Sequence, residues 1–183
     1  MTVSRRTFLI GAGAAATALS STQVNAASRA KIDARVRGAT SEMTAAYPFT
    51  RSLMEQAAGV LMMPRITKGG FFVGGAYGEG ALMIKGAPVD YYSIAAGSYG
   101  LQLGVQSFSN ALFLMTPASL KEFRQRDGWT LGVDLEAAVL EQGEAASIDT
   151  NTRKDEIYAI TFGQQGLMLG ASVEGAKYSR IVR

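Results

Sequence analysis

The sequence contains no cysteine and no histidine among its 183 residues. The absence of cysteine excludes a disulfide framework, a thiolate nucleophile and iron-sulfur ligation, and the absence of histidine excludes a Ser-His-Asp triad and imidazole metal ligands. Charged residues are also few, at 18%, whereas 48% of the residues are hydrophobic, a balance typical of a globular domain. Any catalysis by this chain would therefore depend on carboxylates, and no cofactor or metal site is predicted.

The N-terminus begins with a targeting pattern. Arg5 and Arg6 stand before a weakly apolar stretch, Phe8 to Leu19, and the order Ser-Arg-Arg-x-Phe-Leu resembles a twin-arginine export signal. The apolar stretch is shorter than the roughly 20 residues that span a bilayer, and no cysteine follows it for lipoprotein maturation. We expect cleavage after Ala26 or after Ala27, so that residues 1–26 are a signal peptide.

Residues 27–183 are then expected to be one exported, periplasmic domain, either soluble or peripherally associated with a membrane. Removal of residues 1–26 takes away two arginines and no acid, so the formal net charge of +3 falls to about +1. A nearly neutral domain gives no reason to predict nucleic acid as a partner. Its length suffices to bury about 70% of the unfolded surface.

The first part of this domain has helical periodicity. Apolar residues recur at spacings of three and four, which predicts a helix over 28–46. Pro48 is expected either to end this helix or to open a second helix over 49–58. The apolar positions of the first helix are Ile32, Val36, Ala39 and Met43.

The same predicted helix is basic, with four cations within nine residues against one acid, Asp33. Near an anionic membrane each cation would contribute about 1 kcal/mol, which gives weak and reversible attachment, and insertion of the apolar stripe would strengthen it. The alternative is that the stripe faces the domain core and the charges form a solvated outer face. Two further cations flank the glycine-rich segment and could contact a phosphate. The candidate lipid-binding residues are thus Arg29, Lys31, Arg35, Arg37, Arg65 and Lys68.

From Gly59 onward, short apolar runs alternate with glycine, which predicts strands and tight turns. The predicted strands lie near 59–63, 70–77, 80–85, 90–97, 100–107 and 110–115, with a turn at 86–88. A short helix near 117–126 begins with Thr116 as its N-cap, and further strands are predicted at 129–140, 156–163 and 166–173. N-terminal helices followed by a largely antiparallel, Gly-rich sheet, barrel-like or sandwich, make an α+β domain.

Six glycines fall within the twelve residues from Gly69 to Gly80. The segment lacks the Gly-Lys-Ser/Thr of a Walker-type loop, and it has no Gly-x-Gly-x-x-Gly between a strand and a helix. Glycines inside strands instead mark bulges, sharp bends or the close approach of another backbone. We therefore interpret this segment as structural.

Spaced motifs of this kind follow one another along most of the chain. They comprise Gly69, Gly70, Phe71, Gly74, Gly75, Tyr77, Gly78, Gly80, Gly100, Gln102, Gly104, Gln106, Gly132, Gly166 and Gly170. In this order they resemble the SYLF domain, a module shared by bacterial exported proteins and eukaryotic lipid-binding actin regulators. The resemblance covers roughly residues 30–178. Gln164-Gln165 stands where family members often carry Ser-Lys or a similar polar pair. This difference concerns a turn only.

The resemblance implies a non-enzymatic domain that binds phospholipid. Phosphoinositide and actin binding are known for eukaryotic members, but actin is not expected as a partner of an exported bacterial-type protein. A bacterial envelope offers mainly phosphatidylethanolamine, phosphatidylglycerol and cardiolipin. The predicted partner is therefore an anionic phospholipid or membrane surface, bound through the basic N-terminal helical segment.

Other function classes stay open at this point. Exposed sheet edges could add strands to an envelope protein, which would make the domain a scaffold or interaction module, and the eight Met and eight Phe could line an acyl-chain pocket. A carboxylate-based hydrolase needs two acids across a cleft. Candidates by residue type alone are Glu79, Asp90, Asp134 and Glu136, which turn geometry explains equally well.

Overall fold

The computed structural model describes residues 27–134, 137–140, 156–163 and 175–183. Within these residues, two helices come first, followed by two very long strands, a third helix and four short strands. Their bounds are α1 Arg29–Ala46, α2 Phe49–Gln56, β1 Gly59–Ile84, β2 Ala87–Leu114, α3 Pro117–Gln125, β3 Gly128–Thr130, β4 Ala138–Val139, β5 Ile157–Phe162 and β6 Lys177–Ile181. The predicted α+β class is confirmed. The predicted signal peptide, the predicted strand at 166–173 and the motif residues Gly166 and Gly170 lie outside the described residues.

Helix α1 continues through Gly38, and the apolar residues of its predicted stripe are buried. Ile32 and Met43 have no exposed surface, and Val36 is 2% exposed. These side chains pack with Val60 and other apolar residues of the sheet. Of the two alternatives left open for this stripe, the structure therefore supports the domain core and not insertion into a membrane.

The long hairpin differs most from the sequence prediction. Six predicted strands are in fact two, which pair antiparallel from Gly59 opposite Leu114 to Ile84 opposite Ala87, with three register shifts. The turn is Lys85-Gly86, both residues at positive φ. Glycine does not interrupt these strands, because an extended glycine still joins the backbone ladder. The strand segments of the motif therefore lie within β1 or β2: Gly69, Gly70, Phe71, Gly74, Gly75, Tyr77, Gly78, Gly80, Gly100, Gln102, Gly104 and Gln106.

The hairpin curls so strongly that β1 approaches itself. A Cβ added to Gly80 would lie 2.1 Å from the carbonyl oxygen of Met62, and one added to Gly78 would lie 3.0 Å from the Ile66 side chain. Real Cβ atoms do not tolerate the first of these distances, so only glycine permits this approach. The structural interpretation of the glycines is confirmed at Gly80 and Gly78.

Strand β2 pairs with three of the other described strands. Strand β1 pairs along one edge, while β6 pairs with Tyr91–Ala95 and β5 with Ser109–Leu114 on the other edge. Strand β3 extends the sheet antiparallel to β6, and β4 pairs in parallel with β5. The six described strands form one largely antiparallel sheet that curls into a half-barrel.

The C-terminal elements were predicted less accurately. The expected strand at 129–140 is two short strands, because the chain turns at 132–134 with Gly132 at a φ of 83°. Strand β6 was not predicted. The short helix was predicted well: α3 follows Thr116, whose Oγ1 accepts a hydrogen bond from the Ser119 backbone N–H at 3.0 Å.

Each face of the sheet carries a buried apolar cluster. Helix α1 covers one face, and α3 with β3 contributes to the core on the other. On that second face, the rings of Phe123 and Trp129 stack with centroids 5.7 Å apart, and Trp129 Nε1 donates to the Phe123 carbonyl oxygen at 2.8 Å. Within the described residues, no helix has the length and apolar character needed to cross a membrane.

Candidate functional site

Cations from three parts of the chain converge beside β6. They line two neighbouring cavities that share Arg180. One cavity lies against α3, and the other lies between the start of α1 and the C-terminus. We call this surface the cationic face and define it by Arg29, Lys121, Arg124, Arg180 and Arg183.

A buried carboxylate joins two of these cations. Asp90, near the start of β2, is 7% exposed, and it accepts a hydrogen bond from Arg124 Nε at 2.7 Å and another from Arg180 Nη2. The two arginine side chains stay 42% and 44% exposed. A guanidinium carries five N–H donors, and each arginine gives Asp90 one of them here. Asp90 thus fixes α3 to β6 and orients two partly solvated guanidinium groups.

The cavity against α3, the α3 cavity, has a volume of about 310 Å³. Its described lining contains three cations, two of which pair with the adjacent Asp90, together with apolar surface from Pro117 and Leu120. Arginine forks and a lysine ammonium are the usual partners of phosphate oxygens. The cavity therefore suits an anionic group carried on an aliphatic stem. Its lining residues are Pro117, Leu120, Lys121, Arg124, Gln125 and Arg180.

The second cavity, the C-terminal cavity, measures about 460 Å³ and mixes charges of both signs. Arg29 lies over the Tyr91 ring at 5.4 Å from its centroid, and the Tyr91 hydroxyl donates to Asp33 at 2.9 Å. Burial raises the pKa of Tyr91, and the bond to Asp33 raises it further, so this hydroxyl remains a donor at neutral pH. Asp90 pairs with arginines of both cavities, but the described lining of this cavity also includes Asp33, so it is less suited to an anion than the α3 cavity.

Glu79 holds the C-terminal residue in place. Its side chain is almost fully buried, and its Oε1 accepts bonds from Arg183 Nη2 at 2.5 Å and from the Tyr77 hydroxyl at 2.9 Å. Oε2 accepts a bond from the Ala27 backbone nitrogen at 3.2 Å. Burial by itself would raise the pKa of Glu79, but these hydrogen bonds outweigh it and hold the pKa below its ordinary value. Arg29 also donates to the Arg183 carbonyl oxygen.

The structure divides the six predicted lipid-binding residues. Arg29 belongs to the cationic face, whereas Lys31 and Arg37 are exposed elsewhere on α1 and Arg35 is half-buried. At about 100° per residue, Arg29 and Arg35 lie on opposite flanks of the buried stripe. The four cations therefore do not share one helix face.

The two cations of β1 are also separate. Arg65 is exposed at a φ of 52°, where β1 shifts its register against β2, and Lys68 is half-buried. In the described part of the chain, neither residue lines the two cavities of the cationic face.

Sequence reasoning missed four members of the cationic face. Lys121 and Arg124 are spaced to share one side of α3, which is a detectable local signal. Arg180 and Arg183 gave none, because strand β6 was not predicted and its pairing with β2 brings Arg180 to a carboxylate 90 positions away.

Of the four carboxylates considered for hydrolysis, the three that the structure describes each have a hydrogen-bonding or ion-pair partner within the fold. Glu79 and Asp90 are each ion-paired to arginine. Asp134 is exposed and accepts a bond from the Thr130 backbone N–H at 2.9 Å, as a turn residue does. Glu136 lies outside the described residues.

Comparison with known families gives a match over the second half of the chain. The family model described as "Ysc84: Las17-binding protein actin regulator" matches residues 95–181. This segment runs from within β2 to the end of β6 and includes α3, so it contains all three cations of the α3 cavity. No curated protein matched the chain.

Proposed function

We propose, on the basis that the Ysc84 (SYLF) family model matches residues 95–181, that this protein is a non-enzymatic module that binds anionic phospholipid. The family match confirms the SYLF resemblance over those residues and is consistent with a lipid-binding or scaffold role. We further propose that the cationic face makes the contact and that the ligand is an anionic headgroup.

The α3 cavity is the observation that carries this proposal. Lys121, Arg124 and Arg180 face a common space without a carboxylate among its described lining residues. Because Asp90 holds both arginines, their geometry is set before a ligand arrives, and less conformational entropy is lost on binding. Leu120 and Pro117 provide an apolar wall for the glycerol and upper acyl carbons of a lipid.

The expected strength is modest. Each cation near an anionic membrane contributes about 1 kcal/mol, so the three cations of the α3 cavity give weak and reversible attachment. Exposed charges are screened beyond about 10 Å at 0.1 M salt. Binding should therefore depend strongly on ionic strength.

In the basic N-terminal segment, Arg29 is the residue that we expect to contribute most to binding, because it belongs to the cationic face. Lys31, Arg35 and Arg37 lie outside the cationic face and would add only long-range attraction. We further propose that the chain is exported, so that the face meets the phospholipids of the envelope, of which phosphatidylglycerol and cardiolipin are anionic.

A second candidate is a protein-binding scaffold of the envelope. The description of the matched family names binding to a protein, and this observation favours the alternative. Pairing of sheet edges with a protein partner depends on backbone hydrogen bonds and changes little with salt, which separates the two candidates experimentally.

Sedimentation with lipid vesicles tests the proposed function. The protein is mixed with vesicles of phosphatidylcholine alone or with added phosphatidylglycerol, at low and at high salt. We expect sedimentation only with the anionic vesicles, and its loss at high salt. Binding that ignores both lipid charge and salt, or no binding to either vesicle, would contradict the proposal and favour a protein partner.

A further inference from the structure

The first described residue of the chain touches a buried carboxylate. The backbone nitrogen of Ala27 lies 3.2 Å from Oε2 of Glu79, a side chain whose residue is only 7% exposed. The two other donors to this carboxylate, Arg183 and Tyr77, bind Oε1. Among the described residues, Ala27 is the partner of Oε2.

Ala27 also lies at the predicted cleavage site of the signal peptide. The twin-arginine pattern and the small residues before it predict peptidase cleavage after Ala26 or after Ala27. Cleavage after Ala27 would remove the nitrogen that Glu79 binds, whereas cleavage after Ala26 would make that nitrogen the new chain terminus.

We infer that the Ala26–Ala27 peptide bond is the processing site and that the new α-ammonium group of Ala27 forms a buried ion pair with Glu79. This inference rests on the proposed export of the chain but not on lipid binding. Hydrolysis by an envelope peptidase consumes one water and leaves a carboxylate on Ala26 and an ammonium on Ala27. No other reactant is required.

The chemistry of the contact favours the processed form. Before cleavage, the Ala27 amide offers one neutral N–H to Oε2. After cleavage, the same nitrogen carries a positive charge and three donors, and charge-assisted hydrogen bonds are roughly twice as strong as neutral ones. Glu79 then binds one cation on each oxygen, Arg183 on Oε1 and the Ala27 ammonium on Oε2.

This ion pair would join the start of α1 to Arg183 through Glu79. Arg183 bonds to Glu79 through its side chain and receives a bond from Arg29 at its carbonyl oxygen. Residues 27–29 at the start of α1, strand β1 at Glu79 and the C-terminus are thus joined around one carboxylate. Processing strengthens this junction.

The mass of the exported protein identifies the site of cleavage. The full chain is expressed in a bacterium with twin-arginine export, and the intact mass of the exported protein is measured. We expect a chain that begins at Ala27. A chain that begins at Ser28, or one that retains residues 1–26, overturns the inference.

The ion pair is tested by comparing processed protein with the precursor that accumulates when Arg5 and Arg6 are replaced by lysine to block export. We expect processing to raise Tm by about 3 °C in the wild type and in a Glu122→Gln control, whose carboxylate is exposed, but not in Glu79→Gln. An equal rise in all three proteins overturns the ion pair.

A second readout remains if Glu79→Gln fails to fold. The α-amino group of the processed wild type is titrated by its rate of reaction with an amine reagent. Glu79 raises the pKa of this group and Arg183 and Arg29 lower it, and the direct contact with Glu79 makes the increase dominate. An α-amino pKa at or below the ordinary value of about 7.7 to 8.0 contradicts the inference.

Discussion

The carbonyl oxygen of Met62 occupies the space that a Cβ of Gly80 would need, at a distance of 2.1 Å. Both residues lie in β1, so this contact records how tightly the long hairpin curls. Gly80→Ala would force the two parts of β1 apart. We expect a loss of more than about 3 kcal/mol in the free energy of unfolding, measured by urea denaturation.

Gly38→Ala is the matched control for that substitution. Gly38 lies in α1, and a Cβ there would have no neighbour within 4 Å. Alanine favours a helix over glycine by about 1 kcal/mol, so this variant should be slightly more stable than the wild type. Similar destabilisation by both substitutions would contradict the account of the curl.

Removal of the Tyr92 hydroxyl should not destabilise the protein. The hydroxyl is buried and has no hydrogen-bond partner among the described residues. Burial, with a smaller effect of Asp90, raises its pKa to about 12, so it is a neutral, unpaired polar group. We expect Tyr92→Phe to leave stability unchanged or to raise it by about 1 kcal/mol, measured by urea denaturation.

Tyr178→Phe provides the opposite case. This buried hydroxyl donates to Asn110 Oδ1 at 3.0 Å, and its removal leaves that oxygen without this donor. We expect a loss of about 1 to 2 kcal/mol. If both tyrosine variants shift stability in the same direction, hydrogen-bond satisfaction does not explain their behaviour.

Glu79 should make stability depend on pH in the acid range. Its pKa in the folded protein lies below the ordinary value of 4.5, so its stabilising contribution is fully present above that value and is lost as the pH falls through the folded pKa. Urea midpoints of the wild type and Glu79→Gln should differ most near neutral pH and converge as the pH falls below the folded pKa of Glu79. A difference that is independent of pH would contradict this assignment.

Asp90 should be the acid whose loss most loosens the cationic face. Asp90→Asn removes the charge that pairs with Arg124 and Arg180, although both arginines can turn to solvent. We expect a loss of about 1 to 3 kcal/mol by urea denaturation. Glu122→Gln, at an exposed pair with Arg126, should change stability by less than about 0.5 kcal/mol.

Local patterns in the sequence predicted the elements that depend on local chemistry. The stripe of α1 follows from spacings of three and four residues, and the Thr116 cap of α3 follows from a threonine directly before Pro117. Both were confirmed. The hairpin was misjudged because glycine was interpreted as a break between strands. Whether a glycine ends a strand or bends it depends on what approaches its backbone, as Met62 approaches Gly80.

The candidate site depended on distant pairing and was predicted only at Arg29. Its centre is Asp90, whose arginines come from α3 and from β6, 34 and 90 positions away. A single sequence shows that each of these residues is charged, but it does not show that the sheet brings them together. The burial of the α1 stripe likewise needed the fold, because an amphipathic helix can face a core or a membrane.

The most direct test of the central claim compares two charge-matched double variants in binding to phosphatidylglycerol vesicles at low salt. Lys121→Gln/Arg124→Gln removes two cations from the α3 cavity, and Lys31→Gln/Arg37→Gln removes two exposed cations of α1 outside it. Circular dichroism first establishes that both variants are folded. The account predicts at least about a tenfold loss of affinity for the first pair and a much smaller loss for the second. Equal losses, or a larger loss for the α1 pair, would contradict binding at the cationic face.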